Sequence, residues 1–227
     1  MEHAASVVEF DERLKFPCSI IVTGVSCSGK TEFVLKLLKH KNKLFDKSVD
    51  TVLLCYGLYQ DAYSRHCSDG NGTEFAIVEG CQEQWLKDRG MMDPNKNTIL
   101  ILDDLHTELA NNPLLGKLFC KFSHHLNTTV IFVTQNLYHR GSQTRDVISN
   151  AHYIVCLAQP RDKTAISVLA RQMYPENSKF LVSAYEQATS TRWGYLLIDA
   201  LPDTPEFLRL RTGIFPDEMT YVFVRTS

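Results

Sequence analysis

Apolar residues in this chain fall in short unbroken runs, separated by stretches whose apolar positions recur at helical spacing. The first run, Cys18-Ser19-Ile20-Ile21-Val22-Thr23, is rich in β-branched residues and predicts a buried strand. Glu32-Phe33-Val34-Leu35-Lys36-Leu37-Leu38 then predicts an amphipathic helix. Thr51–Tyr56, Thr98–Asp103, Thr129–Val133 and Tyr153–Leu157 repeat the strand pattern, and Phe75–Val78 does so more weakly. Leu114–Leu126 reads as a helix. A helix pair, about Thr164–Met173 and Lys179–Ala188, precedes a last strand at Tyr195–Ile198. Strands alternating with helices predict a parallel sheet with crossover helices. Beyond it lies a short tail punctuated by Pro202, Pro205 and Pro216.

Polar loops interrupt this plan at Gly57–Thr73, rich in Tyr, Asp and Gly, and at Asn136–Asn150, which carries Arg140 and Arg145. Long loops in an α/β domain are commonly functional or mobile; the plain alternative is a surface connection.

A length of 227 residues suits one domain over 1–227, with 1–16 as a lead-in and 200–227 as an extension. With 44% hydrophobic and 22% charged residues the chain can bury a proper core. A formal charge of −2 offers no global attraction to nucleic acid, so DNA contact would need a local patch. The 7 cysteines form no CxxC pair, which favours small buried hydrophobes in a reducing compartment. His66-Cys67 and His124-His125 have no partner pair at zinc spacing. Met1 to Phe16 has no long apolar core, and no stretch approaches the ~20 apolar residues of a membrane span. The expectation is a soluble, intracellular protein.

Gly24-Val25-Ser26-Cys27-Ser28-Gly29-Lys30-Thr31 joins the first strand to the first helix and has the complete pattern of a phosphate-binding loop. Its glycines let backbone N–H groups curl around phosphates, Lys30 reaches the outer phosphates, and Thr31 can ligate Mg²⁺. The helix N-terminus adds ~0.3–1 kcal/mol of attraction for an anion. Ile99-Leu100-Ile101-Leu102-Asp103-Asp104 looks like the Walker B element, with its acids emerging at the carboxyl end of a buried strand. Asp103 would hold Mg²⁺ and Asp104 would polarise the attacking water, although a helix cap is the simpler reading of two such acids. In ATPases with an extra strand between the loop strand and the Walker B strand, the residue ending that strand touches the γ-phosphate or the lytic water. Gln135 is the candidate sensor, ahead of Asn136, against the plain reading of a Gln-Asn turn. An arginine finger from a neighbouring subunit is sought at Arg145, then Arg140, then Arg161; a surface salt bridge is the competing reading for each.

These pieces, in this order, resemble the FtsK–HerA superfamily, specifically its poxvirus-type DNA-packaging ATPases. The resemblance runs from Phe10-Asp11-Glu12-Arg13-Leu14-Lys15-Phe16-Pro17 through Gly24–Thr31, Leu102-Asp103-Asp104 and Val133-Thr134-Gln135-Asn136. It continues through Ser149–Val155, Gln159-Pro160-Arg161-Asp162-Lys163 and Leu169-Ala170-Arg171-Gln172 to Arg211–Pro216. The Arg161-Asp162 and Arg211–Pro216 stretches pull it toward the branch in Polinton- or adintovirus-like elements. The resemblance implies a P-loop NTPase fold of RecA/ASCE type: a mostly parallel sheet flanked by helices, with an extra strand between the P-loop and Walker B strands. It implies ATP and Mg²⁺ as cofactors, double-stranded DNA as partner, a homo-oligomeric ring of five or six, and capsid or portal vertex proteins. The place of work would be the infected cell, in nucleus or cytoplasm, or the virion. Lys36, Lys39, Lys41, Lys43 and Lys47 and the Tyr-rich loop are candidates for DNA contact, against plain solubility. A P-loop kinase acting on a small acceptor and a nucleotide-gated scaffold are the competing functional classes. Paired acids and a strand-end Gln suit activation of water better than transfer to an acceptor.

Overall fold

The computed structural model describes residues 11–64, 72–83, 86, 93–122, 126–138 and 144–225, with the side chains of 121, 122, 144 and 145 excepted. In chain order the main elements are β1 (Ser19–Thr23), α1 (Lys30–Lys39), α2 (Lys41–Leu44), β2 (Thr51–Tyr56), β3 (Glu74–Glu79) and β4 (Thr98–Asp103). Then come α3 (His106–Leu109), α4 (Pro113–Lys117), β5 (Thr128–Thr134), α5 (Thr144–Ser149) and β6 (Tyr153–Leu157). The chain closes with α6 (Thr164–Met173), α7 (Ser178–Ala188), β7 (Tyr195–Asp199), β8 (Leu210–Thr212) and β9 (Tyr221–Val222).

All these strands join a nine-stranded sheet of order β3-β2-β4-β5-β1-β6-β7-β8-β9. β5 lies between the loop strand β1 and the acid-bearing strand β4, as the expected architecture requires. From β3 to β6 the pairing is parallel. The sheet is not parallel throughout: β7, β8 and β9 pair antiparallel. The cause is the helix pair α6–α7, because two successive helices return the chain to the end of the sheet from which it left.

Strand residues alternate between two cores, the arrangement of a sheet covered on both faces. Ile20, Val22, Ile99, Ile101, Ile131 and Val133 face α1 residues such as Phe33 and Leu37. Ile21, Leu100, Leu102, Val130 and Phe132 face Leu115, Phe119, Leu169 and Leu181 on the other side. Burial on both faces is why these strands read as continuous apolar runs.

The expected single helix over Leu114–Leu126 is instead α4 followed by a π-helical stretch, Leu118–Phe122, with Leu126 outside any helix. Asn112 caps α4 by accepting from Leu114 N–H at 2.9 Å. Gly116 within α4 weakens the regular i to i−4 ladder just before the wider turn begins. The tail is ordered where it meets β7. Arg211 donates to Asp199 Oδ2 at 3.0 Å, in a pair buried on both sides, and also to the carbonyl of Glu12. That pair ties the tail to the strand before it and to the lead-in.

Candidate active site

β1 ends fully buried at Thr23, and the chain then turns through Gly24–Gly29 into α1. Cys27 (φ 63°) and Gly29 (φ 96°) both adopt left-handed backbone, which turns the loop around a concavity. Ser28 N–H donates to Val25 O at 3.2 Å, and a Cβ at Gly24 would stand 2.5 Å from Ser28 Oγ, so the loop leaves no room for a side chain there. Ser28 Oγ and Thr23 Oγ1 are buried and unpartnered among the described residues. A hydroxyl left so inside a loop of this form suits an anionic ligand oxygen. Lys30 Nζ donates to Gly24 O at 2.8 Å and Val25 O at 2.9 Å, folded onto its own loop. Burial lowers its pKa, against the raising pull of the Asp103 and Asp104 charges.

Strand register carries Asp103 to the same edge. Asp103 is level with Val133 of β5, which is level with Val22 of β1. Thr31 Oγ1 donates to Asp103 Oδ2 at 3.1 Å, and the buried Tyr63 hydroxyl donates to the same oxygen at 2.8 Å. Burial raises the Asp103 pKa, while Tyr63 and Thr31 hold it down. Thr31 and Asp103 have the hard oxygen donors that suit Mg²⁺ when phosphates and water complete its shell. Among the described residues no cluster of three or more His, Cys, Asp or Glu could hold a metal by itself.

Asp104 adopts left-handed backbone (φ 57°), with its carboxylate 3.7 Å from His106 Nδ1. Its carbonyl oxygen sits so close to Gly57 that a Cβ there would collide with it. Gly57 N–H donates to Asp103 O at 3.0 Å, so this glycine clamps the acid pair.

At the end of β5, Gln135 is exposed and its backbone carbonyl accepts from Gln159 Nε2 at 3.0 Å. Asn136 is committed to the turn, its Oδ1 accepting from Tyr138 N–H at 3.0 Å. Arg145 lies on α5 with its side chain outside the described residues, and Arg140 lies outside them altogether. Arg161 is exposed after β6. The lysine series does not form one solvent face: Lys36 is paired with Asp217 and Glu218, and Lys41 is buried. His66, Cys67, His124 and His125 fall outside the described residues.

The structure adds three residues that the sequence pattern did not single out. Tyr63 sits in the Tyr-rich loop, in mutual ring contact with Tyr56 and Tyr59 at 5.5–5.9 Å between centroids. Gln159 bridges the ends of β5 and β6. Trp193 lies against Gly29. A loop rich in tyrosine hinted at the first, and Gln159 opens one of the stretches that carry the family resemblance; no periodicity or motif marks Trp193.

A phosphate loop after β1, an acid pair at the end of β4 and an interposed β5 define a P-loop ATPase. The family model for the poxvirus A32 protein matches residues 7–192. The chain belongs to that family and is a viral DNA-packaging ATPase. No curated protein is a significant sequence match. Among solved structures, the genome packaging NTPase B204 from Sulfolobus turreted icosahedral virus 2, in complex with ATP-gammaS, is similar with a TM-score of 0.55. The identity is 12%, over 92% of this chain and 98% of that one. B204, the DNA-packaging ATPase from Sulfolobus turreted icosahedral virus, gives a TM-score of 0.54 at 14% identity, over 93% and 99%. Likeness at such identities speaks to a shared fold. Among the described residues no helix is long and apolar enough to cross a membrane.

Proposed function

We propose that the whole chain acts as one Mg²⁺-dependent ATP hydrolase unit, and that a ring of five or six copies threads double-stranded DNA into a preformed capsid inside the infected cell. The observation that carries this reading is the meeting of Thr31 and Asp103 across one hydrogen bond at the mouth of the phosphate loop. It is supported by the ATP-gammaS complex recorded for B204, whose fold this chain shares.

In this reading the N–H groups of Ser28 to Thr31 hold the phosphates, and Lys30 swings from the Gly24 and Val25 carbonyls onto the outer two. Thr31 and Asp103 would hold the Mg²⁺, which when bound would neutralise charge on the phosphates. Asp104 orients the attacking water and accepts its proton, and Gln135 reports the γ-phosphate to the neighbouring strand. Arg145 of an adjacent copy supplies charge to the transition state, a contribution worth ~10³–10⁵ in rate where such fingers act. The capsid or portal vertex proteins are the remaining partners.

The test is phosphate release with and without double-stranded DNA, alongside the mass of the assembled species in each nucleotide state. Hydrolysis that DNA stimulates, in a species of five or six copies, supports the proposal. Hydrolysis by a monomer, dependent on a small acceptor and indifferent to DNA, contradicts it and favours the kinase class.

A further inference from the structure

Trp193 occupies a backbone position that favours glycine. Its φ is 68°, in a tight turn closed by Gly194 N–H on Thr191 O at 3.0 Å. A bulky residue there is strained, and Trp193 is 53% exposed, so neither backbone preference nor burial accounts for it. The ring lies directly on the phosphate loop: a Cβ at Gly29 would stand 2.6 Å from Trp193 Cε3. Beside it opens a cavity of about 1470 Å³, lined by Gly29, Glu32, Phe33, Lys36, Trp193 and Tyr195 among others. Gly29, Phe33 and Lys36 follow one face of α1, so the cavity starts where the phosphate loop ends. Gly29 and Phe33 are four residues apart, about 6 Å along the helix axis.

We infer that Trp193 is the stacking platform for the purine base of the nucleotide, and that the cavity behind it takes the nucleoside. The inference rests on the proposal that ATP phosphates occupy the Gly24–Thr31 loop. An indole presents a broad π-face that any purine matches. The Arg192 guanidinium covers the ring at 4.9 Å and makes no ion pair among the described residues, so it yields that face to a base. A left-handed turn holding the indole over Gly29 aligns the base with phosphates gripped by the same glycine's neighbours. That placement gives the local strain a function.

The probes are ATP and inorganic tripolyphosphate, bound to the full-length chain in Mg²⁺ without turnover, by calorimetry at low temperature or by competition. Trp193→Ala weakens ATP binding roughly 5- to 150-fold and leaves tripolyphosphate binding within about twofold. Trp193→Phe restores most of the loss. Trp193→Gly, which suits the left-handed turn and so preserves it, shows the same split as Ala. In a Trp85→Phe chain, ATP quenches the Trp193 emission and tripolyphosphate does not. Equal binding of ATP by wild type and Trp193→Gly, or parallel loss of ATP and tripolyphosphate, overturns the stacking role. Failure of the wild type to bind either tripolyphosphate or ATP overturns the phosphate-loop reading itself.

Discussion

Thr31, in the first turn of α1, and Asp103, the last residue of β4, stand 72 positions apart in sequence and share one hydrogen bond of 3.1 Å. Their junction is set by strand order. β5 lies between β1 and β4, and the parallel register ends all of these strands at the same edge. A sheet that put β4 elsewhere would take the Thr31 hydroxyl from a buried carboxylate, at a cost of about 1.5–3 kcal/mol.

Tyr63 donates to the same Asp103 oxygen as Thr31, from a loop whose neighbouring Tyr59 is exposed. Groups that orient a metal-holding carboxylate commonly contribute 10- to 100-fold to metal affinity. Tyr63→Phe is therefore expected to raise the Mg²⁺ concentration for half-maximal hydrolysis by roughly 10- to 100-fold, with the fold retained. A magnesium titration of phosphate release, with circular dichroism as control, checks this.

Gly57 and Asp104 form a clamp that separates stability from chemistry. Gly57→Ala forces a methyl into the Asp104 carbonyl and is expected to cost about 1–3 kcal/mol of stability together with activity. Asp104→Gly relieves the left-handed backbone at that position, so melting temperature holds or rises. The same change removes the candidate base, and hydrolysis should fall by about 10²–10⁴. Paired melting and turnover measurements on both variants decide the matter; an active Asp104→Gly enzyme would remove that residue from the mechanism.

Cys27 is exposed at the tip of the phosphate loop, whereas Cys18 and Cys156 are buried in strands. Burial pushes the Cys156 thiol up to about 12 and the Cys18 thiol up further still. N-ethylmaleimide at pH 8 is expected to label Cys27 and the exposed Cys120, to spare Cys18 and Cys156, and to abolish hydrolysis. Added ATP should protect Cys27 and leave Cys120 reactive, as read from peptide masses.

Much of this was legible in the chain. Strands buried on both faces announce themselves as apolar runs, so β2 and β4 fall on the expected residues and α6 spans its expected range. The reversal at β7 was legible as well, in the two adjacent helices before it, but only when direction is counted as well as type. Tyr63 was not, because its partner is 40 residues away and only strand order joins them. Trp193 carries no periodic signal: its meaning depends on the turn that lays it over Gly29. The break in the helix after Lys117 is equally local, since the apolar spacing through Leu118 and Phe119 continues undisturbed while the backbone widens.

Under the proposed function, Lys30 and Asp103 act on one triphosphate. A double-mutant cycle in single-turnover phosphate release, using Lys30→Ala, Asp103→Ala and the combined variant, tests it most directly. Groups serving one bound nucleotide should be non-additive, so the combined variant is expected to be no slower than the worse single variant. Undiminished turnover in either single variant, or losses that multiply in the double, would contradict it.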